Sequence, residues 1–118
     1  MMEGLDLPHT VVGDSLVGST AIYGKGADID YVVLVTDASD WLCLAIGAGW
    51  VMDGLYPGAD FTSLRKGKYN LIVTQHTWLF EAYVLATECM KKLAHIVPQE
   101  DKPKRVKLYE LIKDWSRP

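Results

Sequence analysis

The chain has 118 residues, a formal net charge of −3, 49% apolar residues and 23% charged ones. That length predicts one domain over 1–118, and the composition excludes a disordered, collagen-like or low-complexity chain. No apolar run approaches the ~20 residues that a membrane-spanning helix needs. Glu3 and Asp6, rather than Lys or Arg, precede the first apolar stretch, which argues against a signal peptide. Cys43 and Cys89 are too few for a disulfide framework and lack metal-site spacing, so the expected setting is the reducing cytoplasm.

The net charge conceals an asymmetry. Residues 1–60 carry nine Asp/Glu and one Lys (Lys25), whereas residues 61–118 carry eleven Lys/Arg and six Asp/Glu. Such a split predicts cations at one place on the domain and anions at another.

In chain order, residues 1–9 read as an irregular lead-in broken by Gly4 and Pro8. A β-branched strand follows, ending at Leu16-Val17, with a turn at Gly18-Ser19 and a loop over 20–27. Ile29 to Thr36 is a strand whose continuous run Tyr31-Val32-Val33-Leu34-Val35 predicts cover on both faces. Ser39 or Asp40 is the expected cap of a short helix from Trp41 to Ala48, stopped by Gly47 and Gly49. Trp50 to Met52 reads as a short strand. Asp53-Gly54 and Pro57-Gly58 read as turns. Phe61 to Arg65 and Tyr69 to Thr74 form a hairpin joined by Lys66-Gly67-Lys68.

From Thr77 to Leu93, the residues Leu79, Tyr83, Ala86, Met90 and Leu93 recur at helical spacing, and Phe80, Val84 and Leu85 widen the stripe. Pro98 and the charged stretch Glu100 to Lys104 then connect to a last helix, Arg105 to Trp115. Its inward residues are expected to be Val106, Tyr109, Leu111 and Ile112. The basic residues Lys102, Lys104, Arg105 and Lys107 read as a solvated helix start. His9, His76 and His95 lack ligand spacing. Both cysteines read as small core residues, and the four tryptophans as mostly core, Trp50 being the one with a claim to a partner surface.

Chemistry concentrates at Gly18-Ser19, then eight residues, then Asp28-Ile29-Asp30-Tyr31. Strand alternation puts Asp28 and Asp30 on one face, roughly 6–7 Å apart in Cα. Two adjacent carboxylates repel, and a divalent cation is the usual compensation; oxygen ligands suit Mg²⁺ or Mn²⁺. A Gly-Ser turn offers backbone N–H groups and a hydroxyl to a phosphate oxygen.

Val17-Gly18-Ser19, a short spacer and Asp28-Ile29-Asp30-Tyr31 resemble the signature of the DNA polymerase β-type nucleotidyltransferase superfamily. The stretch Phe61 to Thr74, followed by the helix at Thr77, is similar to small nucleotidyltransferase-like proteins of tailed phages. The resemblance spans roughly residues 12–112 and implies an α/β (α+β) fold, a mixed β-sheet flanked by helices. It further implies that Asp28 and Asp30 hold Mg²⁺ (or Mn²⁺) and a nucleoside triphosphate, whose NMP group passes to an acceptor hydroxyl on nucleic acid, protein or a small molecule. Gly18, Ser19, Lys25, Arg65 and Lys66 are then the nucleotide-binding candidates, and Asn70 stands where the family carries a third, basic carboxylate. Asn70 offers a carbonyl oxygen but is no base; Asp53 and Asp60 are the alternative carboxylates. The spacer is short, and Gly13-Asp14-Ser15 is an alternative phosphate turn. Because of Asn70, a non-catalytic protein binding a host protein or nucleic acid, or the antitoxin-type partner of a toxin–antitoxin pair, stands beside the enzyme.

Overall fold

The computed structural model describes residues 11–53 and 60–118. The lead-in at 1–9, His9 and the turns expected at Gly54 and Pro57-Gly58 lie outside the described residues. Among the described residues, five strands form one mixed sheet: β1 (Val11–Val17), β2 (Ile29–Val35), β3 (Val51–Met52), β4 (Thr62–Lys66) and β5 (Tyr69–Thr74). Their order is β1-β2-β5-β4-β3. Of these pairings, β2–β5 is parallel and the others are antiparallel. Helices α1 (Gly18–Tyr23), α2 (Ala38–Gly47), α3 (Thr77–Leu93) and α4 (Lys102–Ser116) accompany the sheet. The expected mixed sheet flanked by helices is therefore the observed architecture.

The apolar run of β2 explains its place inside the sheet. Tyr31 through Val35 are all buried. Tyr31, Val33 and Val35 pack with Leu64, Leu71 and Val73 against Trp41 and Ala45 of α2. The alternate residues face α3, whose Phe80 ring lies within van der Waals reach of Gly13 on β1. Trp50 is 1% exposed and belongs to the α2-side core, so it offers no partner surface. At the hairpin, Lys66 and Tyr69 pair directly, leaving Gly67 and Lys68 as the turn. Gly67 has φ +62°, which the first position of a two-residue type II′ turn demands.

Several local expectations are corrected. The turn and loop expected at 18–27 contain α1, six residues ending on Gly24, whose φ of +77° gives a left-handed cap with its N–H on the Thr20 carbonyl. A helix that short shows no readable periodicity and depends on packing, here against α3 and β2. Helix α2 begins three residues early, with Asp37 rather than Ser39 or Asp40 as cap; its carboxylate accepts from the Asp40 N–H at 3.2 Å. Replacing Asp37 by alanine is expected to lower stability by about 1 kcal/mol, read as a fall in urea midpoint at unchanged slope. Helix α4 also begins early, because Pro103 is tolerated in a first turn and Asp101 caps it. Finally, α4 contains no fully buried residue. Tyr109 and Ile112 are half-buried, but Val106 and Leu111 are 44% and 55% exposed, and Cys43 is exposed rather than core. The α3 stripe is narrower than expected too, since Leu85 is exposed while Leu79, Ala82, Ala86 and Met90 are buried.

Candidate functional site

Strand register assembles the acidic side of the site. Asp30 on β2 lies opposite Asn70 on β5, and Asn70 lies opposite Arg65 on β4. All three therefore share the sheet face that carries α3. Asn70 donates from Nδ2 to Asp30 Oδ1 at 2.9 Å. Arg65 spans two carboxylates, with Nη1 3.4 Å from Asp28 Oδ1 and Nε 3.4 Å from Asp53 Oδ2. Burial raises the proton affinity of Asp30; the Asn70 hydrogen bond opposes this, the Asp28 charge reinforces it, and the Arg65 charge again opposes it. A cation beside Asp30 would offset both its burial and the like charge of Asp28.

The chain turns sharply beside this pair. Gly18 has φ +74°, and a Cβ built there would lie 2.5 Å from Asp30 Oδ2. Only glycine permits that approach together with that backbone angle. The Gly18 N–H donates to the Tyr109 hydroxyl at 3.2 Å, and that hydroxyl shares a 2.6 Å hydrogen bond with Thr87 Oγ1. Ser19 Oγ accepts from Arg105 Nη1 at 2.8 Å. Helix α4 thus reaches across α3 to the turn between β1 and α1.

Between the turn and α4 lies a cavity of about 440 Å³, lined among others by Gly18, Ser19, Asp28, Asp30, Arg105 and Tyr109. Lys102 and Lys113 extend its cationic lining along α4, with Glu110 between them. Ile72, Tyr83 and Val106 give it an apolar part. Burial, followed by the neighbouring Tyr109 and Asp30, pushes the Tyr83 hydroxyl up to about 12, so it stays protonated at neutral pH.

The sequence-derived candidates divide into two groups. Gly18, Ser19, Asp28 and Asp30 meet at the cavity, with Asn70 directly behind Asp30. Lys25, Arg65 and Lys66 do not line it. The Lys25 carbonyl accepts from Gln99 Nε2, Arg65 holds Asp28 from the far side, and Lys66 Nζ donates to the Ala48 carbonyl at the end of α2. Gly13, Asp14 and Ser15 lie inside β1, paired with Leu34, Val33 and Val32, and form no turn. Asp53 is engaged by Arg65 and Asp60 by Arg117 at 2.7 Å, with His76 3.9 Å away. Neither lines the cavity. Among the described residues no three His, Cys, Asp or Glu side chains gather as a metal cluster.

Sequence reasoning missed Lys102, Arg105, Tyr109 and Lys113. Their spacing of three, four and four places them on one helical face, a signal hidden by starting the helix at Arg105. Lys104 and Lys107 are exposed and do not line the cavity, as the solvated reading expects; Lys102 is exposed too but lies at the cavity's edge.

The donor set can be tested against a divalent cation. Asp28 and Asp30 supply anionic oxygens, and Asn70 Oδ1 is a buried carbonyl oxygen without a hydrogen-bond partner. Asn70 turns its N–H toward Asp30, the favourable orientation when protein atoms alone face the carboxylate. An amide rotation would present the unpaired oxygen to a cation held by the two aspartates. Three oxygen donors, with water and phosphate oxygens completing the shell, suit Mg²⁺ or Mn²⁺. The residues therefore fit such an ion.

No known protein family matches the chain, and no curated protein does. Among the described residues no helix is long and apolar enough to cross a membrane. Among solved structures the chain resembles the conserved protein GrpB from Enterococcus faecalis, with a TM-score of 0.54 and 15% identity. The likeness covers 91% of this chain and 83% of that one. At that identity the likeness speaks to fold alone, a mixed five-stranded sheet flanked by helices.

Proposed function

We propose that the cavity binds a nucleoside triphosphate together with Mg²⁺ or Mn²⁺, and that the arrangement serves transfer of an NMP group to an acceptor hydroxyl. The observation that carries this reading is the opposition of a carboxylate pair and an α4 cation wall across one cavity, with Gly18 and Ser19 at its edge. A metal–triphosphate complex needs oxygen ligands for its cation and donors for its phosphates, and few other ligands need both so close together.

Asp28, Asp30 and the Asn70 carbonyl would hold the cation. When bound, it neutralises the paired carboxylates and the phosphates beside them. Ser19 donates its hydroxyl proton to a phosphate oxygen, since its own oxygen already accepts from Arg105. Tyr83, Tyr109 and Ile72 exclude water from the inner part of the cavity. In transfer, the acceptor oxygen bonds to the α-phosphorus while the bond from that phosphorus to the bridging oxygen of the leaving pyrophosphate breaks. The acceptor's proton passes to water, since Asp28 and Asp30 would be engaged by the cation and Asn70 is no base.

A second reading, binding without turnover, is favoured by one observation. Asn70 faces Asp30 in register where a third carboxylate would act as base, and it has no basicity. The protein would then act through a protein or nucleic-acid partner.

Titrating the protein with α-labelled ATP, CTP, GTP and UTP in Mg²⁺ tests the first reading. Saturable binding that disappears in Asp28→Asn is expected, and absence of saturable binding of all four would overturn it in favour of the partner-binding protein. Pyrophosphate release on adding nucleic-acid or protein acceptors separates transfer from binding alone.

A further inference from the structure

Asp28 and Asp30 sit side by side but meet different partners. Asp30 accepts from the neutral Asn70 amide at 2.9 Å, whereas Asp28 faces the Arg65 guanidinium, Nη1 to Oδ1 at 3.4 Å. The same guanidinium turns its Nε to Asp53 Oδ2, also at 3.4 Å. Both contacts are longer than the about 2.9–3.0 Å usual for an N–H···O bond. The charge is divided between two acceptors rather than locked on one.

The backbone fixes this sharing. Arg65 on β4 stands opposite Val51 of β3 on one side and Asn70 of β5 on the other. The Asp53 N–H donates to the Ser63 carbonyl at 2.9 Å and so carries the β3–β4 ladder one residue further. Alternation then sets Asp53 diagonal to Arg65 on the same face. The Arg65 and Asp28 side chains are 42% and 43% exposed, so this ion pair stands in contact with water and parts at small cost. A guanidinium beside Asp28 offsets the same charge that a bound cation would offset, so the two compete for one carboxylate.

We propose that Arg65 is the internal counter-ion that a divalent cation has to displace from Asp28, and that Asp53, by sharing the guanidinium, sets how tightly the cation is held. The inference deepens the cation site of the reading above and rests on it for the identity of the cation. When Asp28 turns to the cation, Arg65 passes wholly to Asp53, which keeps its charge paired. Asp53 lies outside the cavity lining, so it is a positioning residue that acts through Arg65.

Mn²⁺ affinity, measured by paramagnetic titration of the full chain without nucleotide, tests the competition. Arg65→Gln is expected to tighten Mn²⁺ by about three- to tenfold, and the gain should shrink in about 0.5 M KCl. Asp53→Asn should weaken Mn²⁺ by about two- to threefold, because Arg65 then commits to Asp28, and should have no effect in the Arg65→Gln background. Lys92→Gln, which removes an exposed charge from α3, should change nothing. Thermal melts establish that each variant is folded. The competition is overturned if Arg65→Gln leaves Mn²⁺ affinity unchanged or lowers it, or if Asp53→Asn weakens Mn²⁺ equally in both backgrounds. Wild-type binding that is lost in Asp28→Asn but indifferent to Arg65 keeps the cation site and removes the competition. Binding that appears only in Arg65→Gln keeps the competition and removes the cation from the reading of the wild-type chain. Binding in neither protein removes both.

Discussion

Asp30→Asn is expected to abolish the divalent-cation binding proposed above while making the fold more stable at neutral pH. Even outer partners of metal ligands are worth ~10–100-fold in affinity, so loss of a direct anionic donor should weaken Mn²⁺ by at least about a hundredfold. The stability change has the opposite sign. Burial, with Asp28 adding to it, holds the folded-state pKa of Asp30 above its ordinary value. The native state then binds the proton more tightly than the unfolded chain does. Asp30 is least costly at pH values below its unfolded pKa, and its penalty grows as pH rises through the raised folded value. Asparagine removes that penalty and keeps an oxygen to accept from Asn70. The variant should melt higher than wild type at pH 7, and the gap should close toward pH 3. Paramagnetic titration with Mn²⁺ and melts across that range check both halves. Retained Mn²⁺ affinity, or a variant less stable at pH 7, would sink the account of a strained carboxylate pair.

Gly18→Ala is expected to be the costliest small substitution at the site. The left-handed angle alone costs a residue with a Cβ about 1–2 kcal/mol. The new methyl would also lie 2.5 Å from Asp30 Oδ2, a carboxylate fixed by Asn70, so one of the two must move. A total loss of about 2–3 kcal/mol follows, with cation binding impaired as Asp30 shifts. Gly24→Ala provides the comparison. Its φ is +77° and nothing lies within 4 Å of the added carbon, so only the backbone cost applies. Urea denaturation of the two variants isolates the contact as the difference between them. Equal losses would mean that the close approach to Asp30 constrains nothing.

The long elements were legible because their patterns are long. The β2 run, the β4–β5 hairpin and α3 stand where periodicity and turn chemistry placed them, α3 to the residue. The aspartate pair was legible because carboxylates leading into so apolar a strand are costly to bury without a compensating charge. What escaped reading depended on tertiary partners. Six residues of α1 gain their helical state from α3 and β2, beyond the reach of a local window. The cationic hairpin at Arg65 and Lys66 drew attention by charge density, yet strand alternation sends Lys66 to the α2 side and Arg65 to Asp28 and Asp53. The basic residues that do line the cavity sit some 80 residues from the glycine turn they face, and no spacing rule connects them.

Helix α4 walls the cavity without contributing one fully buried side chain to the core. Its release would leave the sheet and both of the sheet's covering helices in place. Sub-global opening of that kind costs far less than complete unfolding. Amide hydrogens along α4 should therefore exchange ahead of those in β2 and β5. A ligand that grips α1 and α4 together supplies the helix with the anchorage its own sequence omits, so that occupancy and local rigidity become one thermodynamic quantity.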